Sequence, residues 1–341
     1  MKTETFNFEL PQELIAQSPL ERRDQSRLLL CNPQEKKRQH HYFSDIVDLL
    51  PADSVLVLNN TKVINARLQA KKETGAKIEI FLLEQYATKK WKCLVKPTKR
   101  VSVGDILNFS DELKGEIIKK GRFCHIQFDE KNNFMEYINQ IGEPPLPPYI
   151  KCDNPKQYQE RYQTVYAAQS GSVAAPTAGL HFTDELISKL QHKGIQIEYV
   201  TLHVGYGTFK GIESETLAEH QMHKEMYYIQ PDVAQRLNSA KKAGKKIISV
   251  GTTSTRTLES ASINAEIQAG AGSSELFIKP GYQVKFIDGL ITNFHLPKSS
   301  LFVLVSTLAG IEFMADTYQE AIQEGYRFYS FGDAMYIQVI V

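Results

Sequence analysis

Cysteine is scarce, with only Cys31, Cys93, Cys124 and Cys152 in 341 residues and no CxxC pair among them. That argues against a thiolate zinc site and against a disulfide framework. No apolar run reaches the roughly eighteen residues of a membrane helix, and the opening MKTETFNFEL lacks the apolar centre of a signal peptide, so a cytoplasmic protein without membrane association is expected. Net charge is nearly absent as well. Forty Lys plus Arg against 39 Asp plus Glu leave +1, with 42% hydrophobic residues, which excludes a globally basic nucleic-acid binder and a disordered tail protein. Nucleotide signatures are missing too: there is no GxxxxGK[ST] loop and no GxSxG elbow. HVGYGTFKG misses the dinucleotide fingerprint because its third glycine comes one residue late.

What is present begins with length, since 341 residues exceed what one core usually holds and favour two domains. Charge is unevenly spread: residues 61–130 hold 15 positive and 9 negative side chains, leaving the remainder mildly acidic. A local basic segment fits contact with a polyanion, and equally a solvated lysine-rich surface. The same region contains short β-prone runs, VLVLNN, KIEIFLLE, WKCLVK, DILNF, EIIKK and FCHIQF, which suggest a small β-barrel. NFMEYINQIG reads as one helix, and EPPLPPYI at 143–150 as a proline-rich linker.

Beyond the linker the period changes. PKQYQERYQTVYA, FTDELISKLQHKG and PDVAQRLNSAKKAG read as helices between the strands IQIEYVTLHV, EMYYI and KKIISV, followed by two helices and a closing strand AMYIQVIV. PQELIAQ, RLLLC and SDIVDLL near the start share this texture. The expected architecture is mixed α/β: a discontinuous larger domain of residues 1–58 and 151–341, interrupted by a β-barrel domain at 59–150.

Small-residue segments at strand ends are where α/β proteins place their sites. KKIISV runs into Gly251, Thr252, Thr253 and Ser254, then Arg256 and Glu259 on a helix; free amides and a guanidinium there suit a carboxylate or phosphate, or the hydroxyls simply cap the helix. QSGSVAAPTAGLHFT leaves room for a ligand near the backbone around Gly171, Ala174, Ala175, Ala178 and Gly179 and ends at His181 and Phe182. TLHVGYGTF brings His203, and EHQMHKE brings His220, His223 and Glu225, whose spacing admits a metal reading, although no HExxH pattern or third spaced ligand supports it. DGLITNFHLP adds Asp288, Asn293, Phe294 and His295, and EGYRFYSFGDAM adds Tyr326, Arg327 and Asp333 beside aromatic residues that fit a cation, a base or an ordinary core.

The wording and order of PQELIAQSPLERRDQSRLL, VLNNTKVINARL, TGAKIEIFLLE, PPYI, RYQTVY, VAAPTAGLHFT, TLHVGYGTF, HQMHKE, VGTTSTRTLES, LITNFHLPKSS and YRFYSFGDAM carry more than any one of them. From about residue 5 to 338 the chain resembles the S-adenosylmethionine:tRNA ribosyltransferase-isomerase family of the queuosine pathway. It departs from the family pattern at Lys210–Gly211–Ile212, where Pro-Val usually follows, at Ala76 and at Lys279. The resemblance implies an L-shaped α/β protein with an inserted barrel. It implies an enzyme that moves the ribosyl part of S-adenosylmethionine onto an aminomethyl-deazaguanine base in a tRNA anticodon and isomerises it, giving epoxyqueuosine, adenine and methionine. S-adenosylmethionine is consumed, no metal or resident cofactor is expected, and the family expectation is a monomer. Such chemistry needs a base, a neutral amine and an acid for adenine. Proton work is expected of His181, His203, His223 or His295, with Asp333 near the cationic substrate. The cosubstrate is expected against Thr177, Gly179, Gly205, Gly207, Thr208, Gly251, Thr252, Thr253, Ser254, Arg256, Asn293 and Phe294, with Arg256 on the methionine carboxylate or a substrate phosphate. tRNA phosphates are expected on Arg27, Lys62, Arg67, Lys71, Lys72, Lys96 and Arg100. Three other readings stand beside this one: a metal-dependent hydrolase using His220, His223 and Glu225, a non-catalytic RNA binder, and a conventional methyltransferase releasing S-adenosylhomocysteine.

Overall fold

The computed structural model describes residues 1–129, 133–205, 207 and 211–339. The chain opens with single 3-10 turns, then a hairpin of β1 (Arg27–Asn32) and β2 (Lys37–Tyr42), a short helix α1 (Ile46–Leu49) and the strand β3 (Ser54–Asn59). Strand β4 (Thr61–Val63) leads away from the sheet. Six strands follow: β5 (Arg67–Lys72), β6 (Lys77–Ala87), β7 (Lys90–Lys96), β8 (Ile106–Asn108), β9 (Lys114–Lys119) and β10 (Cys124–Phe128). They close an antiparallel barrel in the order β10-β7-β6-β5-β8-β9. Alternation fills it: in β7, Trp91, Cys93 and Val95 are buried while Lys92, Leu94 and Lys96 are more exposed, the period of a strand with one face inward. Helix α2 (Phe134–Ile141) stacks Phe134 against Phe128 and Trp91 of the barrel.

The chain returns through β11 (Gln169–Ser172), which pairs in parallel with β4, so the outgoing and returning segments are tied together. Then come α3 (Asp184–His192), β12 (Gln196–Leu202), β13 (Glu225–Ile229), α4 (Pro231–Lys242), β14 (Lys246–Val250) and α5 (Gly251–Ala261). The two-residue strands β15 (Ser262–Ile263) and β16 (Glu266–Ile267) precede β17 (Gly270–Ser274), β18 (Gly289–Asn293), α6 (Ser300–Ala309), α7 (Ile311–Gln323) and β19 (Ala334–Gln338).

Nine of these strands form one sheet, β17-β13-β12-β3-β14-β18-β19-β1-β2. Its centre, β12, β3, β14 and β18, is parallel. A parallel strand is covered on both faces and carries no alternation in polarity, and all six residues of β3 are buried. Its side chains divide between two cores: Val55 and Val57 face the layer of α4 to α7, whereas Leu56 and Leu58 face that of α1 and α3.

Two expectations change. VLVLN, read with the barrel runs, lies mid-sheet as β3, and Arg67–Lys72 supplies the barrel strand instead. PKQYQERYQTVYA forms only a 3-10 turn at Pro155–Tyr158, because its polar side chains and nearby proline leave too little apolar stripe to bury a full helix. PQELIAQ forms a single Pro-started 3-10 turn at Gln12–Leu14. Among the described residues no single helix is long and apolar enough to cross a membrane, and α6 and α7, which together have the composition, are bent by 115° and belong to the main core.

Candidate active site

Because the four central strands run the same way, their carboxyl ends emerge on one edge: Asn59–Thr61 after β3, His203 after β12, Gly251–Thr253 after β14 and Asn293–His295 after β18. The loop Ala175–Ala178 closes over this edge. Together with Val204, Leu301, Tyr329 and Ser330, that loop and the ends of β14 and β18 line a pocket of about 40 Å³. Val204 is shared with a cleft of about 410 Å³ whose other wall is the barrel with its helix α2: Trp91, Lys92 and Phe123, with Met135 of α2, face His203, Gly205, Gly207, His223 and Glu225. A third cavity of about 340 Å³, lined by His220, His223, Glu225 and Arg256, shares Gly207, His223 and Glu225 with the cleft and Leu301 with the pocket. The three adjoin one another at the strand ends through these shared residues.

His203 is fixed from the β3 end. Its Nδ1 lies 2.8 Å from Thr61 Oγ1, and the ring rests on Gly171, where a Cβ would come within 3.0 Å of it. Burial lowers its pKa below the ordinary histidine value, so the ring is neutral near pH 7 and able to accept a proton. His223 lies across the cleft with its ring against Gly207; a Cβ there would fall 2.0 Å from the imidazole, so only glycine permits the approach. His203 and His223 are the expected histidines that line the cleft.

The other two are built in differently. His181 is buried and stacked on Phe43 at 4.8 Å. Asn293 Nδ2 donates to its Nε2 at 3.2 Å, which puts the proton on Nδ1 toward Ser26 Oγ at 2.7 Å, so both nitrogens are engaged. His295 is buried with Nε2 3.1 Å from Thr292 Oγ1, and it borders the small pocket. Burial pushes both rings down to about 3, which keeps them neutral. Asp333, expected beside the substrate cation, instead accepts the backbone N–H of Arg27 at 3.0 Å and of Arg327 at 2.8 Å. It lines none of the three cavities, and burial raises its pKa against those hydrogen bonds.

Arg256 also departs from expectation. Its Nη1 donates to Glu225 Oε2, Nε to Leu276 O at 3.1 Å and Nη2 to Ser274 O at 3.3 Å, so the fork is committed within the protein. Glu225 Oε1 accepts Gly205 N–H at 3.0 Å, which ties the glycine loop to α5 through the ion pair. Thr252 and Thr253 border the pocket, Ser254 is fully buried below it, and Phe294 joins the core while also touching the pocket. Thr177 sits in the pocket wall, and Gly179 packs beneath Tyr166, whose hydroxyl would lie 2.0 Å from an added Cβ. Thr208 lies outside the described residues. Among the described residues no group of three His, Cys, Asp or Glu side chains is gathered closely enough to hold a metal ion.

Lys62 on β4 and Lys71, Lys96 and Arg100 on the barrel are exposed. Arg67 pairs with Glu79 at 2.9 Å and Lys72 with Asp105 at 2.7 Å. Arg27 lies over the Tyr326 ring at 3.8 Å and donates to Glu324 O at 2.6 Å, away from the barrel. Sequence reading missed the cleft's barrel wall, Trp91, Phe123 and Met135, and the partner residue Thr61; only the density of motif residues around Asn59–Thr61 hinted at the latter.

Fold and site together define an α/β enzyme whose strand-end depression faces an antiparallel barrel. The family model described as queuosine biosynthesis protein matches residues 3–337, and the chain belongs to that family. Its relatives include the S-adenosylmethionine:tRNA ribosyltransferase-isomerase of Desulforamulus reducens, 49% identical across 99% of this chain and all of that one. The protein of the same name from Desulfitobacterium hafniense is 50% identical over the same shares. Among solved structures, the S-adenosylmethionine tRNA ribosyltransferase of Thermotoga maritima is 36% identical with a TM-score of 0.57, covering 98% of this chain and 99% of that one.

Proposed function

We propose that the protein is an S-adenosylmethionine:tRNA ribosyltransferase-isomerase. It takes the ribosyl group of S-adenosylmethionine to the aminomethyl-deazaguanine base of a tRNA anticodon, and epoxyqueuosine, adenine and methionine are the products. The observation that carries this reading is the small strand-end pocket adjoining, across Val204, a cleft walled by both sheet and barrel, in a chain of this family. A ribosyl donor and a base projecting from RNA must reach one another, and a two-walled cleft brings them together. In this reading residues 1–58 with 151–341 form the catalytic domain and 59–150 the RNA-contacting domain, working as a cytoplasmic monomer.

The cleft histidines take the proton work. Neutral His203, held by Thr61, removes a proton from the ribose carbon next to the sulfonium. His223 stands opposite for the second transfer as adenine leaves. Loss of the ribose proton opens the C4′–O4′ bond to a vinyl sulfonium, and the freed oxygen's electrons expel adenine and leave an aldehyde at C1′. The amine of the modified base adds at C4′ with loss of its proton, the carbanion so formed closes onto the aldehyde carbon, and the resulting alkoxide displaces methionine to give the epoxide. A base in an anticodon loop can be splayed out and stacked on an aromatic side chain, and the half-buried Phe123 of the barrel wall offers that surface. Lys62, Lys71, Lys96 and Arg100 are the exposed cations for backbone phosphates.

The test is incubation of the EDTA-treated protein with S-adenosylmethionine and tRNA bearing the aminomethyl-deazaguanine base. Adenine, methionine and epoxyqueuosine in equal amounts are expected. S-adenosylhomocysteine in place of adenine would overturn the reading.

A further inference from the structure

The small pocket carries two opposite polar demands at its floor. At one side α5 begins directly at the end of β14 with no capping side chain, and Gly251 at φ +83° turns the chain into the helix. The N–H groups of Thr252 and Thr253 lie in the first turn of the helix, where no intrahelical acceptor exists, and no side chain among the described residues caps them. Thr253 is 7% exposed, and its Oγ1 has no hydrogen-bond partner there. On the other side Asn293, 2% exposed, spends its Nδ2 on His181 and on Tyr329 O, which leaves Oδ1 without a donor among the described residues. Buried polar atoms are ordinarily paired, so two unpaired side-chain atoms bordering one cavity mark a place made for something else.

The demands differ in sign. A helix N-terminus with free amides favours an anion, and a bare amide oxygen needs a donor. A phosphate would satisfy the helix and leave Asn293 Oδ1 facing another oxygen. An exocyclic amine of adenine would satisfy Asn293 and leave the helix unmatched. A zwitterion satisfies both at once, and at about 40 Å³ the pocket holds roughly three groups of the size of a water molecule, counted at ~10–15 Å³ each.

Resting on the reading of S-adenosylmethionine as cosubstrate, the geometry points to this pocket as the seat of its α-amino-acid end, with the carboxylate on the α5 amides and the Thr253 hydroxyl and the α-ammonium donating to Asn293 Oδ1. The sulfonium and ribose then extend past Val204, the residue shared with the cleft, toward His203. The role expected of Arg256 falls to the helix end, and Arg256 holds the loop through Glu225 instead.

The experiment is calorimetric binding of three probes to the full chain: S-adenosylmethionine, its decarboxylated form and its deaminated form. Each truncated probe is expected to bind the native protein at least about tenfold more weakly, the loss expected when a charge-assisted hydrogen bond is removed. Thr253→Val should weaken S-adenosylmethionine several-fold and leave the decarboxylated probe within about twofold, and Thr253→Ser should restore it. This variant is preferred to changes at Asn293, whose amide also supports His181 and Tyr329. Equal binding of the three probes, or a Thr253→Val effect that is nil or the same on both carboxylated and decarboxylated forms, overturns the subsite. If adenine is released while the probes bind equally, the subsite fails and the reaction stands. If binding needs the carboxylate while S-adenosylhomocysteine is the product, the reaction fails and the subsite stands.

Discussion

Arg256 and Glu225, 31 residues apart, form an ion pair in which both side chains are nearly sealed from water, at 6% and 3% exposure. The pair joins the second turn of α5 to the first residue of β13, and Glu225 passes the constraint on to Gly205. One charge without the other would be stranded in a poor solvent. Arg256→Ala or Glu225→Gln should each cost about 3–5 kcal/mol of stability, read as a lowered urea midpoint. Arg256→Met with Glu225→Leu should cost less than either single change. A midpoint unchanged in Arg256→Ala would show that the pair adds nothing.

Acid should unfold the protein through two buried histidines. His181 and His295 have folded-state values depressed to about 3, against ordinary values near 6.5 for the unfolded chain. Above that ordinary value both states are neutral and the groups contribute nothing. Below it the unfolded chain takes up protons that the folded one refuses, so stability falls with pH down to the folded value. Each ring should remove about 1.4 kcal/mol per pH unit, about 2.7 kcal/mol at two units below the unfolded value. Denaturant titrations from pH 7 to 4.5 check this: His295→Asn should flatten the slope by one proton, and an unchanged slope would contradict it.

His203 should matter to rate more than to affinity. His203→Asn is expected to lower kcat by about 10²–10⁴ with the KM for S-adenosylmethionine within a few fold, and to remove the acidic limb of the pH–rate profile. Thr61→Val, which removes the partner of Nδ1, should lower kcat less and move that limb. A His203→Asn enzyme within a few fold of native turnover would move the base elsewhere, with His223 next in line.

tRNA binding should weaken steeply with salt. Replacing Lys62, Lys71, Lys96 and Arg100 together by serine should reduce the slope of log K against log[salt] by about 0.7–0.9 for each phosphate that is no longer neutralised. The paired residues Arg67 and Lys72 should change it less, because Glu79 and Asp105 already neutralise them. A flat response in the native protein would rule out a phosphate-led interface.

The helices α3, α4, α6 and α7 and the strands β1, β12 and β14 were legible because each carries its own period or cap, as Thr183 does by accepting the Leu186 N–H. β3 was not placed, because a run buried on both faces looks the same in a barrel and in a parallel sheet, and only its pairing with β12 and β14 decides. The site segments were visible as clusters of small residues. Their partnerships were not: Thr61 meets His203 across 142 positions and Asp333 meets Arg27 across 306, and neither spacing leaves a mark in local composition. Arg256 misled for the same reason, since a guanidinium near a helix start reads alike whether its carboxylate is a ligand's or Glu225's.

The position of β19 governs how the molecule can be made. Ala334–Gln338 lies between β18 and β1, antiparallel to one and parallel to the other, so the β1–β2 hairpin reaches the rest of the sheet only through it. During synthesis the hairpin emerges early and must wait, its inner edge unpaired, until nearly three hundred further residues have left the ribosome, whereas every barrel strand is available long before. A growing chain would therefore carry a finished barrel beside an open sheet, and it is in that interval that an exposed β1 edge is most open to a chaperone or to a neighbouring nascent chain.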